Sequence, residues 1–411
     1  MKRFVLILAT LVAVGCIVFV TLTWHSEIAP IARIEPDANL VNRGAELAAI
    51  GDCSTCHTRP LGKAYSGGYR LPTPFGAIYS SNITPDEETG IGRWSLAAFT
   101  RAMRQGIDRE GHELYPAFPY DHFTKVRDED IAAIYAFLMT QPAVKATRPE
   151  NELKFPLNWR PLLAGWKLLF LKDQRYVADT SHDARWNHGA YLVEGLGHCG
   201  ACHTPRNSLG AEASGKSLTG GEAEGWSAPA LAGAPWSEAS LYAYLRTGID
   251  THHGAAAGPM LPVTSNLGRA ADEDVRAIAA YLATKAGPVP PEPKEAPVPS
   301  SDAPGAIIFA GACSSCHGPT APVTISGAPS LALSTAIRSD DPNNVLRIIR
   351  AGIRPEHFKA GPLMPSFAPI FQDDQLVTLA NYLRARFAPD LQPWKNVAET
   401  LKTIHTSGTK S

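Results

Sequence analysis

The sequence is poor in charge and in methionine, and one motif contains nearly all of its cysteines. Charged residues make up 19% of the 411 residues, and the formal net charge at pH 7 is -1. This balance gives no reason to expect a nucleic-acid partner. The chain also lacks a nucleotide-binding glycine motif and any molybdenum or flavin signature. These absences argue against a substrate-oxidising centre of its own.

The N-terminus has a long apolar run. Lys2 and Arg3 precede it, and it extends from Phe4 to about Trp24. Roughly 20 apolar residues can span a bilayer, and the basic end stays cytoplasmic. Residues 1–24 therefore predict a signal-anchor transmembrane helix, with a cleaved signal as the alternative. Either one exports the rest of the chain, so we expect the protein at the inner membrane, on its periplasmic side. Cys16 is interpreted as a cysteine inside that helix.

The other six cysteines lie in three identical C-x-x-C-H patterns. These are 53-CSTCH-57, 199-CGACH-203 and 313-CSSCH-317. In this pattern two cysteines a helical turn apart bind one porphyrin as thioethers, and the next residue, histidine, binds the iron. The sequence predicts three covalent haems c on Cys53, Cys56, Cys199, Cys202, Cys313 and Cys316. Their proximal ligands would be His57, His203 and His317.

Two other uses of Cys-x-x-Cys fit less well. Zinc sites combine such pairs into sets of four ligands and do not need a histidine after each pair. A redox dithiol would not occur three times with every cysteine except Cys16 inside one of the motifs.

Each motif belongs to a longer internal repeat. A glycine-containing helical stretch precedes it, and an acidic start followed by an apolar helix ends the unit, as in 128-DEDIAAIYAFL-138. Apolar residues recur at helical spacing in these stretches. Each unit resembles a cytochrome c domain, in which the first and last helices cross beside the haem. Gly44, Gly189 and Gly305 would permit that close crossing.

A middle helix also repeats, and each copy ends in Gly-Ile. Met260 lies 12 residues after Gly248, and Met364 lies 12 residues after Gly352. A thioether on a proline-stiffened loop is a plausible distal ligand, and His/Met ligation raises the haem potential. We therefore predict Met260 and Met364 as the distal ligands of haems 2 and 3; the alternative is that each fills the core.

The first unit departs from this pattern. Phe118 stands 12 residues after Gly106, in 111-GHELYPAFPYDHF-123. Phenylalanine has no lone pair, so iron 1 uses His122, His112, another group, or no protein ligand. A bis-histidine site would lie lower in potential than its His/Met neighbours. Met103 and Met139 lie on helices outside the expected loop.

The predicted fold class is all-α: three tandem cytochrome c domains with an N-terminal transmembrane helix. The domains are residues 38–141, 187–284 and 305–390, and residues 391–411 form a C-terminal tail. A connector of residues 142–186 contains 155-FPLNWRPLLAGWKLLFL-171. This segment is interpreted as a helix packed between domains, or as a docking surface for a partner or the bilayer. The Pro-rich linker 285–304 is typical of an extended spacer, so domain 3 is either mobile or docked.

The chain resembles the membrane-anchored three-haem cytochrome c subunits of bacterial periplasmic dehydrogenases. The resemblance covers residues 38–390 and rests on segments such as 72-PTPFGAIYSSNITPDEETGIGRWS-95 and 195-GLGHCGACHTPRN-207. It implies that Trp94 contacts a haem propionate. The alcohol dehydrogenase branch has methionine where Phe118 stands. The phenylalanine form resembles the cytochromes that accompany molybdenum hydroxylases such as nicotinate or aldehyde dehydrogenases.

The predicted function is electron transfer from a separate dehydrogenase, through three haems, to membrane quinone or a terminal oxidase. The partner would be a molybdenum hydroxylase, or alternatively a quinoprotein alcohol or flavin gluconate dehydrogenase. A second hypothesis is a haem enzyme of the peroxidase kind with an open haem 1, in which His112 or His122 would act as acid or base. A haem sensor is a third, but no signalling domain follows the haem units.

Overall fold

The structure is a computed structural model that describes residues 2–31, 37–288, 303–318, 321, 330–354 and 362–408. Two compact units make up the chain. The first contains residues 1–178 together with 194–198, and the second contains residues 179–193 and 199–411.

The first unit is built on two crossing helices. The helices are α1 (Lys2–Thr23), α2 (Ala38–Ile50), α3 (Cys53–Cys56), α4 (Leu96–Gln105), α5 (Tyr120–Phe123), α6 (Asp128–Met139) and α7 (Leu162–Phe170). α2 crosses α6 at Gly44, where an added Cβ would lie 1.9 Å from the carbonyl oxygen of Ala133. Only glycine allows two helix backbones to approach so closely. The predicted crossing in this unit is therefore confirmed.

Short strands accompany these helices. β1 (Arg70–Thr73) and β2 (Gly76–Tyr79) form an antiparallel hairpin, and β3 (Glu152–Leu153) pairs with β2 to make a three-stranded sheet. These short strands, which form through backbone hydrogen bonds, are an addition to the predicted helical fold. Cytochrome c domains and a largely helical architecture describe the chain.

The connector packs onto the first unit. The side chain of Asn151 accepts a hydrogen bond from the backbone N–H of Tyr79 at 2.9 Å. α7 buries Ala164 and Lys167, while Leu168 and Leu169 are 70% and 69% exposed. Packing within one domain thus explains one face of this helix, and its apolar outer face stays exposed.

α1 is a helix with exposed apolar side chains. Phe4, Leu6 and Leu11 are 72%, 71% and 63% exposed, and Phe19 stacks on Trp159 with ring centroids 5.6 Å apart. Among the described residues, no helix meets the length and apolarity expected of a membrane span. The predicted transmembrane assignment is therefore not supported.

The second unit contains two further helical groups. The first of them has α8 (Ala184–Tyr191), a π-helical turn (Leu192–Leu196) that crosses the unit boundary, α9 (Gly200–His203), α10 (Glu238–Thr247), α11 (Met260–Leu267) and α12 (Asp272–Ala283). Its strands are β4 (Gly221–Ala223), β5 (Trp226–Ala228), β6 (Ile249–Asp250) and β7 (Gly254–Ala255), paired as two antiparallel hairpins.

The other helical group follows the linker. It consists of α13 (Pro304–Ala312), α14 (Ser314–His317), a 3-10 turn (Leu331–Leu333), α15 (Thr335–Arg338), α16 (Asn343–Ala351), α17 (Asp373–Phe387) and α18 (Val397–Gly408). α18 buries Leu401 and Ile404 in the core of this group. Most of the linker, residues 289–302, lies outside the described residues.

The glycine crossing occurs in both groups of this unit. An added Cβ on Gly189 would lie 1.9 Å from the carbonyl oxygen of Ala277, where α8 crosses α12. On Gly305 it would lie 2.5 Å from Cβ of Tyr382, where α13 crosses α17. All three predicted crossings are therefore present, and each places the helix that precedes a C-x-x-C-H motif against the helix with an acidic start in the same repeat, which is α6, α12 or α17.

Candidate haem-binding sites

The first motif forms a short helix that turns back toward the β-hairpin. Cys53 and Cys56 start and end α3, and His57 caps it with its backbone N–H bonded to the carbonyl of Cys53. Nδ1 of His57 lies 2.7 Å from the carbonyl oxygen of Ser81. A carbonyl only accepts, so Nδ1 carries the proton and Nε2 is the nitrogen left to bind a metal.

The second motif repeats this arrangement. His203 ends α9, and its Nδ1 lies 2.7 Å from the carbonyl oxygen of Pro229. His317 ends α14, the helix of the third motif, and the residues that follow it lie largely outside the described part of the chain. The six motif cysteines form no disulfide with one another, and Cys56 and Cys316 are exposed. This donor set fits haem c at each motif.

Burial controls the titration of these groups. It lowers the pKa of His57 and His203, an effect that their hydrogen bonds to carbonyls partly oppose, and it lowers the pKa of His317. A neutral imidazole is the form that binds iron. Burial also raises the pKa of the Cys53 and Cys199 thiols to about 12.

The middle helices lead into the predicted distal loops. α4, α10 and α16 end at Gly106, Gly248 and Gly352, whose φ values are 61°, 75° and 74°. Such left-handed backbone favours glycine and ends a helix. The residue after each glycine forms a β-bridge, with Ile107 opposite Glu113 and Ile249 opposite Ala255.

The two predicted methionine ligands occupy different places in these loops. Met260 is the first residue of α11, five residues beyond the bridge partner Ala255. Met364 is itself the bridge partner of Ile353, with backbone N–O distances of 2.9 and 2.8 Å. Met260 and Met364 therefore have equal spacing in sequence but different backbone conformations, a helix start and a β-bridge. Both side chains are partly buried in one cluster with Leu261.

Phe118 occupies the position of Met260. It lies five residues beyond Glu113, the bridge partner of Ile107, just as Met260 lies five beyond Ala255. Phe118 is half-buried and contacts Phe123, with ring centroids 5.3 Å apart. The loop register thus supports Phe118 as the residue in the methionine position.

The two histidines near Phe118 have contrasting environments. The side chain of His112 is 61% exposed, and its Nδ1 lies 3.2 Å from a carboxylate oxygen of Asp108. His122 on α5 is buried, and its Nδ1 lies 2.8 Å from the carbonyl oxygen of Glu194. Glu194 belongs to the same compact unit as His122.

The carbonyl acceptors were not foreseen from the sequence. Ser81, Pro229 and Glu194 bond to histidines through their backbones, and a backbone carbonyl has no residue-type signal. Trp94, the residue implied to contact a propionate, is half-buried, and its carbonyl accepts a hydrogen bond from the Tyr135 hydroxyl at 2.7 Å.

Two known families match the chain. Residues 41–142 match the family described as cytochrome c, and residues 184–282 and 300–383 match cytochrome C oxidase, cbb3-type, subunit III. The fructose dehydrogenase cytochrome subunit of Gluconobacter japonicus is 36% identical over 84% of this chain and 79% of its own length. The gluconate 2-dehydrogenase cytochrome c subunit of Pantoea cypripedii is 33% identical over 87% of both chains.

The chain belongs to the family of dehydrogenase cytochrome c subunits. It is an electron-transfer protein with haem c-binding domains. A further relative, a nicotinate dehydrogenase subunit of Pseudomonas putida, is 47% identical over 94% of this chain. The chain spans only 34% of the length of that relative.

Proposed function

We propose that this chain passes electrons from a separate dehydrogenase, through three haems c, to membrane quinone or a terminal oxidase. The observation that carries the proposal is the repetition of one donor set: a short C-x-x-C-H helix that follows the first helix of a glycine-mediated crossing, present three times. A bound haem supplies one-electron chemistry at its iron. The protein sets the position and potential of each haem.

The division into domains is part of this proposal. Residues 38–141, 187–284 and 305–390 form one cytochrome c domain each. His57, His203 and His317 are the proximal ligands, and Met260 and Met364 are the distal ligands of haems 2 and 3. The hydrogen bonds of His57 and His203 to backbone carbonyls support these assignments, because such partners orient metal-binding histidines.

The haem domains lie on the periplasmic side of the inner membrane, with residues 1–24 as the anchor. The support is the order of the sequence, in which Lys2 and Arg3 precede the apolar run. Alkaline carbonate washing of membranes tests this part. The chain should stay with the lipid fraction, and release into the wash would exclude the anchor.

The partner is a molybdenum hydroxylase of the nicotinate dehydrogenase kind. The 47% identity to a nicotinate dehydrogenase subunit and the phenylalanine at position 118 support this choice. Relatives from fructose, gluconate and alcohol dehydrogenases make sugar and alcohol oxidising partners the alternatives.

The test is affinity purification of the tagged chain from its native membranes. We expect a large catalytic subunit to co-purify with the chain. Nicotinate or an aldehyde should then reduce the haems, which is measured as the appearance of the α-band absorbance. Reduction by an alcohol or a sugar acid instead would retain electron transfer but reassign the partner. Rapid peroxide turnover by the isolated cytochrome, with no co-purifying subunit, would contradict electron transfer as the function.

A further inference from the structure

We propose that His122 is the distal iron ligand of haem 1, oriented by the backbone carbonyl of Glu194. The inference rests on the proposed function, since it requires a haem on Cys53 and Cys56. It concerns the one iron for which the methionine pattern provides no ligand.

The hydrogen bonding of His122 matches that of two proximal histidines. Its Nδ1 lies 2.8 Å from the carbonyl oxygen of Glu194, and the corresponding Nδ1–oxygen distances of His57 and His203 are both 2.7 Å. A carbonyl partner keeps the proton on Nδ1, so the lone pair is on Nε2. This is the tautomer that metal-binding histidines use, and the carbonyl bonded to the other ring nitrogen fixes the ring orientation.

The loop register gives an independent argument. His122 lies four residues beyond Phe118, as Thr264 lies four residues beyond Met260. Met260 and Thr264 are both on α11, and residues four apart share a helix face. In the first unit Phe118 lies before α5, so the matched spacing places His122 in the loop of the methionine position but does not set the direction of its side chain.

The local packing holds this position in place. Phe123, next to His122, packs edge-on against His198 with ring centroids 5.5 Å apart, and Nε2 of His198 lies 3.3 Å from the carbonyl oxygen of Gly51. Gly51 closely precedes the first haem motif. Residues 194–198, which include the Glu194 carbonyl that orients His122, thus also contact Gly51, just before the predicted attachment site of haem 1.

His112 does not share these features. Its side chain is 61% exposed, and its Nδ1 faces the Asp108 carboxylate at 3.2 Å rather than a buried carbonyl. Binding of iron by His112 would require the loop to lose that contact and turn inward. The two histidines therefore form a matched pair for mutagenesis.

The experiment compares His122→Ala with His112→Ala in the full-length chain. Haem content is measured first, by the pyridine haemochrome absorbance, and should be three haems in each protein. In ferric His122→Ala we expect one haem in three to become high-spin by electron paramagnetic resonance and to bind carbon monoxide when reduced. Imidazole should restore the low-spin signal, which it would not do if His122 were only structural. His112→Ala should keep three low-spin haems.

A second variant identifies the haem. Adding Phe118→Met to His122→Ala should restore the low-spin state with a new Met–iron charge-transfer band and a higher potential for that haem. Three low-spin haems in His122→Ala, or a high-spin haem only in His112→Ala, would overturn the proposal. Carbon monoxide binding by the wild-type protein would show an open iron and overturn it too. Fewer than three haems in wild type would instead contradict the proposed function.

Discussion

At Gly44 two helix backbones touch where any side chain would collide. An added Cβ would lie 1.9 Å from the carbonyl oxygen of Ala133 and 2.8 Å from Cβ of Phe137. The first of these atoms is backbone, which cannot rotate away. The close crossing of α2 and α6 therefore requires a residue without a side chain at position 44.

Gly44→Ala should destabilise the first unit, because α2 must move away from α6. Overpacking of this kind typically costs about 1–3 kcal/mol. Guanidinium unfolding, followed by helical circular dichroism, measures the change. Gly165→Ala on α7 is the matched control, since nothing lies within 4 Å of its added Cβ. There the same substitution should be neutral or stabilise by about 0.5–1 kcal/mol. Equal behaviour of the two variants would contradict the crossing.

Residue spacing predicts the distal loops of haems 2 and 3, but it does not predict their backbone conformations. The count of 12 residues from Gly248 and from Gly352 reaches Met260 and Met364, yet one begins a helix and the other lies in a β-bridge. Spacing along the sequence does not determine which backbone hydrogen bonds form, and these bonds set the conformation of each loop. The same limit applies to Ser81 and Pro229, whose carbonyls act whatever side chain is present.

At the scale of elements, α7 is joined to the first unit by buried charge. Nζ of Lys167 donates to the carbonyl of Gly106 at 2.8 Å and to the carboxylate of Glu113. Glu113 is 3% exposed and also lies 3.2 Å from Nε2 of His25. Burial lowers the pKa of Lys167, and the hydrogen bond from Lys167 to Glu113 opposes that change. The pair thus connects α7 to the loop that leads to Phe118.

Lys167→Met should loosen α7, because it leaves Glu113 buried without its ammonium partner. Breaking a buried pair in this way costs about 3–5 kcal/mol. Amide hydrogen exchange of residues 162–170 should then accelerate about 100-fold or more, since each 1.4 kcal/mol is a factor of ten.

Lys145→Met provides the control for this prediction. The ion pair of Lys145 with Glu88 is exposed, with side chains 66% and 69% accessible. Exposed pairs contribute at most about 1 kcal/mol. If both variants left exchange in α7 unchanged, the buried pair would not hold the helix.

The long helices were predictable, whereas the hairpins and the attachment of the connector were not. α6 and α12 begin with acidic residues and repeat apolar side chains at helical spacing, so their existence follows from sequence. β6 and β7 are two residues long and pair only through backbone. Lys167 stands within an apolar segment, and nothing near it in the sequence indicates its partner, because Glu113 lies 54 residues away.

At the scale of the whole chain, the two helical groups of the second unit are joined by a polar contact. The hairpin of β4 and β5 meets the start of α16. The side chain of Asn344 donates to the carbonyl of Ser227 at 2.7 Å and accepts from its N–H at 3.0 Å, and Asn343 donates to the carbonyl of Gly225 at 2.8 Å. These bonds favour the docked alternative for domain 3.

Apolar contacts bring the loops of Met260 and Met364 together beside this hairpin. Trp226 packs against Gly258, two residues before Met260, and the Arg347 guanidinium lies 5.8 Å from the Trp226 ring centroid. Met260 and Met364 share one cluster. If both methionines bind iron, residues of this one cluster would hold haems 2 and 3.

Docking predicts that domain 3 stays bound when the linker is cut. A protease site inserted between residues 288 and 303 allows the cut, and haem staining after size-exclusion chromatography follows both fragments. The wild-type fragments should co-elute.

Asn344→Lys should release the fragment that begins near residue 303, because it removes both hydrogen bonds to Ser227 and places a charge at the contact. Asn207→Lys is the control, since the Asn207 side chain accepts hydrogen bonds within its own loop, from Leu209 and Ala211. Separation of the wild-type fragments would show that the linker alone holds domain 3.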